Sequence, residues 1–143
     1  MSSSLLTGAE RALQDAVLAA LKEHSQIQEV FGSKPRILGD LGGAKPAYPY
    51  LVIGQHEVRP ANASGVIIQD HVIDLQVMTR WGGRAGARDA VSLVQSILDD
   101  AALVLQGHNL VWCYVAFSDS LMLRDQQTFK SVVRIKARTT PLD

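Results

Sequence analysis

Cysteine is almost absent from this chain. The one thiol, Cys113, lies in an apolar run with no second cysteine to pair with. A disulfide framework is therefore excluded, and a buried thiol in a reducing compartment is the expected setting. Aromatic residues are also scarce, at 6% of 143 residues. Excess charge of one sign is missing too: 14 Lys and Arg balance 14 Asp and Glu, so no bulk field draws the protein to nucleic acid or an anionic membrane. No apolar run approaches the roughly 18 residues of a membrane span. The opening Met1-Ser2-Ser3-Ser4-Leu5-Leu6 has neither the basic stretch nor the apolar core of a secretory signal. Repeats and low-complexity segments are lacking as well. What remains is a chain whose length fits one domain, residues 1–143.

Two segments have helical spacing. Thr7 is an expected N-cap with Glu10 three residues on, followed by apolar Leu13, Ala16, Val17, Ala20 and Leu21, with the helix ending near His24. Ile27, Val30 and Phe31 predict one further turn, stopped by Gly32 and Lys34-Pro35. Ala87, Ala90, Val91, Val94, Ile97, Leu98 and Ala101 form the stripe of a second long helix.

Strands are predicted between these helices and after them. A loop over residues 36–48 carries a short edge strand at Arg36-Ile37-Leu38, and residues 50–58 leave the core for solvent. Ile73, Leu75, Val77 and Thr79 alternate with Asp74, Gln76, Met78 and Arg80. Two more strands follow Gly107: residues 110–118, apolar on both faces, and residues 128–139, with Phe129, Ser131, Val133, Ile135 and Ala137 on one face. The order predicts an α+β fold, a mostly antiparallel sheet with two main helices packed on one face.

The chemical candidates are weak. Trp81-Gly82-Gly83-Arg84-Ala85-Gly86 precedes a helix but fits neither G-x-x-x-x-G-K-[ST] nor G-x-G-x-x-G, so a plain strand-to-helix turn is expected. His24, His56, His71 and His108 lack metal-site spacing; His56 and His71 face each other across a hairpin as a surface pair. Ser118-Asp119-Ser120 lies outside any nucleophile elbow, and Asp99-Asp100 is a solvated helix end. One charge pattern stands out: Lys130, Arg134, Lys136 and Arg138 share a strand face. A phosphate backbone, Asp74 across the sheet or acids of another subunit would each satisfy it, and pairing is favoured.

Three stretches, Pro46-Ala47-Tyr48-Pro49-Tyr50-Leu51-Val52-Ile53-Gly54, Val77-Met78-Thr79-Arg80-Trp81-Gly82-Gly83 and Arg134-Ile135-Lys136-Ala137-Arg138-Thr139, carry a resemblance in their order and spacing. The chain resembles the tail-completion, or tail terminator, proteins of long-tailed phages and gene transfer agents, over nearly its whole length. The resemblance implies a structural virion subunit and no enzyme, with no catalytic, cofactor-binding or metal residue. It implies a homo-oligomer, a hexameric ring that caps the tail tube and joins it to the head connector or stopper. Tail tube protein and connector are then partners, DNA only a cargo passing through the ring, and no membrane is involved. The implied location is the virion tail or gene transfer agent particle, assembled in the host cytoplasm.

Within that expectation, residues 59–70 form an arm longer than a tight hairpin needs, ending in Val66-Ile67-Ile68. Arg59, Val66, Ile67 and Ile68 are then the subunit or tube interface. Lys130, Arg134, Lys136 and Arg138 line the lumen or meet a neighbouring subunit. A head–tail stopper or tube subunit is the first alternative, a nucleic-acid-binding module the second and a small enzyme at the Gly-rich turn the third.

Overall fold

The computed structural model describes residues 8–142. Its elements follow the order α1 Ala9–Glu23, α2 Ile27–Phe31, β1 Ile37–Leu38, β2 Tyr50–Pro60, β3 Gln69–Thr79, α3 Gly83–Leu98, β4 His108–Met122 and β5 Phe129–Pro141. The expected cap Thr7 lies outside the described residues. The N-cap position of α1 is held by Gly8, without a side-chain cap bond.

The five strands form one sheet in the order β1-β2-β3-β5-β4. All pairings are antiparallel except β1 with β2, a two-residue parallel patch joining Ile37 to Leu51 and Leu38 to Val52. The α+β expectation therefore holds, with β1 parallel because the 36–48 loop returns the chain to its starting end before β2. Strands run longer than the periodicity marked: β2 continues through Arg59 and Pro60, opposite Asp70 and Gln69. Arg59 thus stands in the sheet, where an arm beginning at 59 was expected.

Alternation decides which face is buried. Ile73, Leu75, Val77, Val133, Ile135 and Ala137 point toward the helices together with Leu51 and Ile53, and the stripes Leu13, Val17, Leu21 and Ala90, Val94, Leu98 close over them. Each fully buried Leu or Ile contributes about 2 kcal/mol from its apolar area. Cys113 joins this core, and burial pushes its thiol up to about 11, which keeps it protonated and poorly nucleophilic. The opposite face of the sheet has no helix in the described chain, and that leaves it available as a surface.

Candidate assembly surface

The segment joining β2 to β3 is an ordered hairpin tip where a loop was expected. Ala63 and Val66 exchange both backbone bonds, Ala63 N to Val66 O at 3.1 Å and Val66 N to Ala63 O at 2.8 Å. Between them Ser64 (φ 49°) and Gly65 (φ 78°) both take positive φ, the two-residue turn whose twist matches the strands it joins. Ala61 N donates to Ile68 O at 2.7 Å, and Ile68 N to Asn62 Oδ1 at 2.9 Å. The tip exposes Val66 (50%) and Ile67 (56%), whereas Ile68 is half-buried. At its base Arg59 Nε lies 3.1 Å from Glu57 Oε1. Two apolar side chains held outward on a hydrogen-bonded hairpin form a contact surface with little conformational freedom left to lose.

The uncovered sheet face is built in rows that cross three strands. Arg134 donates through Nε to Asp74 Oδ1 at 2.7 Å and through Nη2 to Oδ2 at 3.1 Å. Arg138 repeats the fork on Asp70, at 2.7 and 2.9 Å. Each guanidinium also lies over a ring of β4, Arg134 at 5.4 Å from Phe117 and Arg138 at 5.3 Å from Trp112. The ladder dictates this, since Asp74, Arg134 and Phe117 occupy one row and Asp70, Arg138 and Trp112 another. Bidentate charge-assisted bonds and ring contact lock the planar heads. The fork from Arg138 holds the Asp70 carboxyl below its ordinary range.

Of the basic row, then, Arg134 and Arg138 are engaged within the chain, as cross-strand pairing predicts. Among the described residues Lys130 and Lys136 form no ion pair. Lys136 sits exposed between the two rows, beside a concavity of about 530 Å³ lined by Glu57, Val72, Trp112 and Tyr114 among others. That hollow mixes both signs of charge with aromatic rings.

His56 and His71 do meet, but not at the surface. His71 is 1% exposed, because its strand position faces the helices. His56 reaches it because a register shift between Ile53 and His56 turns the histidine inward. Gln14 Nε2 lies 2.9 Å from His56 Nδ1, His56 Nε2 2.9 Å from His71 Nδ1, and His71 Nε2 2.9 Å from Thr139 Oγ1. An amide nitrogen only donates, so the whole chain runs one way: Gln14 to His56, His56 to His71, His71 to Thr139. Both imidazoles are neutral in this arrangement, and burial lowers each to about 4.

The Gly-rich break is a packing device. Gly86 N donates to Gly82 O at 3.0 Å, closing the first helical turn, and Gly82 takes φ 90°. A Cβ on Gly86 would lie 2.7 Å from Trp81 O, so only glycine lets the helix start this close to the strand. The turn brings two of the motif stretches together: Arg80 lies over the Tyr48 ring at 4.4 Å, and Trp81 meets Tyr48 edge-on at 6.3 Å. Among the described residues no cluster of three or more His, Cys, Asp or Glu is arranged to hold a metal ion, and no helix is long and apolar enough to cross a membrane.

Sequence reasoning named Asp74 as a partner for the basic row but missed Asp70, Trp112 and Phe117. The Asp70–Asp74 and Arg134–Arg138 spacing of four on facing strands was the available signal, since only one register satisfies both pairs. The aromatic side of the rows needed the bulges of β4 between Leu110 and Trp112 and between Val115 and Phe117, which sequence does not mark.

Comparison with known proteins comes last. The profile of the family described as Tail completion protein gp17 matches residues 15–140. Among solved structures, a chain from the virion of a native gene transfer agent particle superposes with a TM-score of 0.82 at 22% identity, covering 94% of this chain and 99% of that one. The bacteriophage SPP1 gp17 protein superposes with a TM-score of 0.61 at 21% identity, covering 100% and 97%. Comparison with curated proteins found no match.

Proposed function

Because the chain belongs to the tail completion protein family and so has a structural role in the tail, we propose that it is a tail terminator. Copies of it, six in number, close into a ring on the head-proximal end of the tail tube. The ring stops tube growth and offers its far side to the head–tail connector or stopper, and DNA crosses its centre as cargo. The observation that carries this reading is the family match over residues 15–140. Support comes from the fold shared with a chain of a gene transfer agent virion and from the surface. An ordered hairpin presents Val66 and Ile67 outward, and the sheet face beside it pairs most of its own charge.

In this reading Arg59, Val66, Ile67 and Ile68 contact the adjacent subunit or the tube. Lys130, Arg134, Lys136 and Arg138 face the lumen or a neighbour. With Arg134 and Arg138 forked onto Asp74 and Asp70, a lumen lined by this row attracts DNA only weakly, which suits a passage. The test is tube growth in vitro. Tube protein polymerising in the presence of this chain is expected to stop, with density for the added protein at one end only. Unaltered growth with no end-bound protein overturns the proposal.

A further inference from the structure

The sheet has two unfilled ladders. β4 pairs with β5 on one side; on its other side His108 is bridged to Leu105 and Val115 N–H is held by Asp99 Oδ1 at 2.9 Å. Beyond Val52, β2 has only β3, because β1 pairs at Leu51 and Val52 alone. A long open edge bearing apolar side chains invites another strand, and β4 exposes Val111 (52%) and Tyr114 (42%) beside its free half. We propose that residues 111–114 of β4 in one subunit pair antiparallel with residues 57–60 of β2 in the next, so that the sheets of the ring join edge to edge. This rests on the ring reading above and names its subunit contact.

Direction, level and length all fit a second copy of this chain. β2, β3, β5 and β4 alternate in direction, so β2 and β4 run opposite ways. A neighbour rotated into a ring therefore presents β2 to β4 with the alternation unbroken. Ladder rows place Arg59, Asp70, Arg138 and Trp112 side by side, and Glu57, Val72, Lys136 and Tyr114 likewise, so residues 57–60 and 111–114 stand at the same height and no slide along the strands is needed. Both segments are four residues long, counted from 111 to 114 and from 57 to 60. Each is bounded: Asp99 takes the next donor of β4 at Val115, and the hairpin tip that begins at Ala61 ends β2. The two register shifts of β4 bend the strand, as a sheet continued around a ring requires. Because the two edges differ, the contact is head-to-tail and a repeated rotation closes it.

Cross-linking tests this directly. Arg59 and Val111 are exposed, and the double variant Arg59→Cys, Val111→Cys treated with a short bis-maleimide is expected to give a ladder of covalent oligomers ending at the ring. Either single variant and the wild type, whose Cys113 is buried, give none. In the wild type, those backbone amides of residues 111–114 that do not bond to β5 are expected to exchange slowly in the ring and rapidly in dissociated subunits. A ring seen by native mass spectrometry without the ladder and without that protection overturns the edge contact and leaves the ring standing. Dimers from Val111→Cys alone overturn it in favour of β4 meeting β4. Absence of any ring overturns both readings.

Discussion

Nε2 of His56, itself half-buried, lies 2.9 Å from Nδ1 of the buried His71, and one shared proton fixes the tautomer of both rings. With Gln14 donating at one end and Thr139 accepting at the other, every ring nitrogen has a partner in the neutral state. A second proton on either ring sets donor against donor and places charge among buried groups. Burial is the main cause of the low value of both histidines; for His71, His56 and His108 lower it further while Asp70 and Glu10 oppose.

The sign of the consequence follows. Both folded-state values lie near 4, against about 6.5 in an unfolded chain. The unfolded state binds more protons between these values, so stability is full above about pH 6.5 and is lost as pH falls toward 4. The loss steepens as the unfolded chain takes up protons on the pair that the folded state refuses. Thermal unfolding followed from pH about 7.5 to about 5 is expected to show a Tm that is level down to about pH 6.5 and falls below it, the fall being flattened in the His56→Gln, His71→Gln double variant. A wild-type Tm independent of pH over that range contradicts the neutral chain.

The sequence made the strand faces legible wherever alternation was strict, as in Ile73, Leu75, Val77 against Asp74, Gln76, Met78, because burial on one face alone imposes a period of two. It was silent where the ladder breaks period. His56 reads as a residue near the wet end of a strand, and the shift after Ile53 turns it inward. The same holds for the bulges that set Trp112 and Phe117 beside the guanidiniums. The exposed arm was legible from Val66 and Ile67 in a polar stretch; its hairpin order was not, since Ser64 at positive φ lacks the Asn-Gly signature of that turn.

The forks on Asp70 and Asp74 make a prediction about DNA. Wild-type protein at physiological salt is expected to bind duplex DNA negligibly. Asp70→Asn with Asp74→Asn unlocks two guanidiniums and is expected to give measurable binding that falls steeply with added salt, read by fluorescence anisotropy. Equal binding by wild type and double variant contradicts the idea that intramolecular pairing neutralises this face.

The arm separates assembly from folding. Val66→Asp and Ile67→Asp replace exposed side chains, so monomer stability is expected to change by no more than about 0.5 kcal/mol. Assembly into the ring is expected to drop severalfold, measured by sedimentation velocity. A loss of Tm matching the loss of assembly would place these residues in the fold; unchanged assembly removes the arm from the interface. Replacing residues 61–67 by a tight turn gives the same comparison without new charge.

Self-association is the claim on which the rest depends, and mass resolves it. Native mass spectrometry of the purified chain at rising concentration, with negative-stain images of the same sample, is expected to show one closed species of six subunits with a central hole. A chain that stays a monomer at the highest concentration, and remains so when tube ends are supplied, contradicts the account.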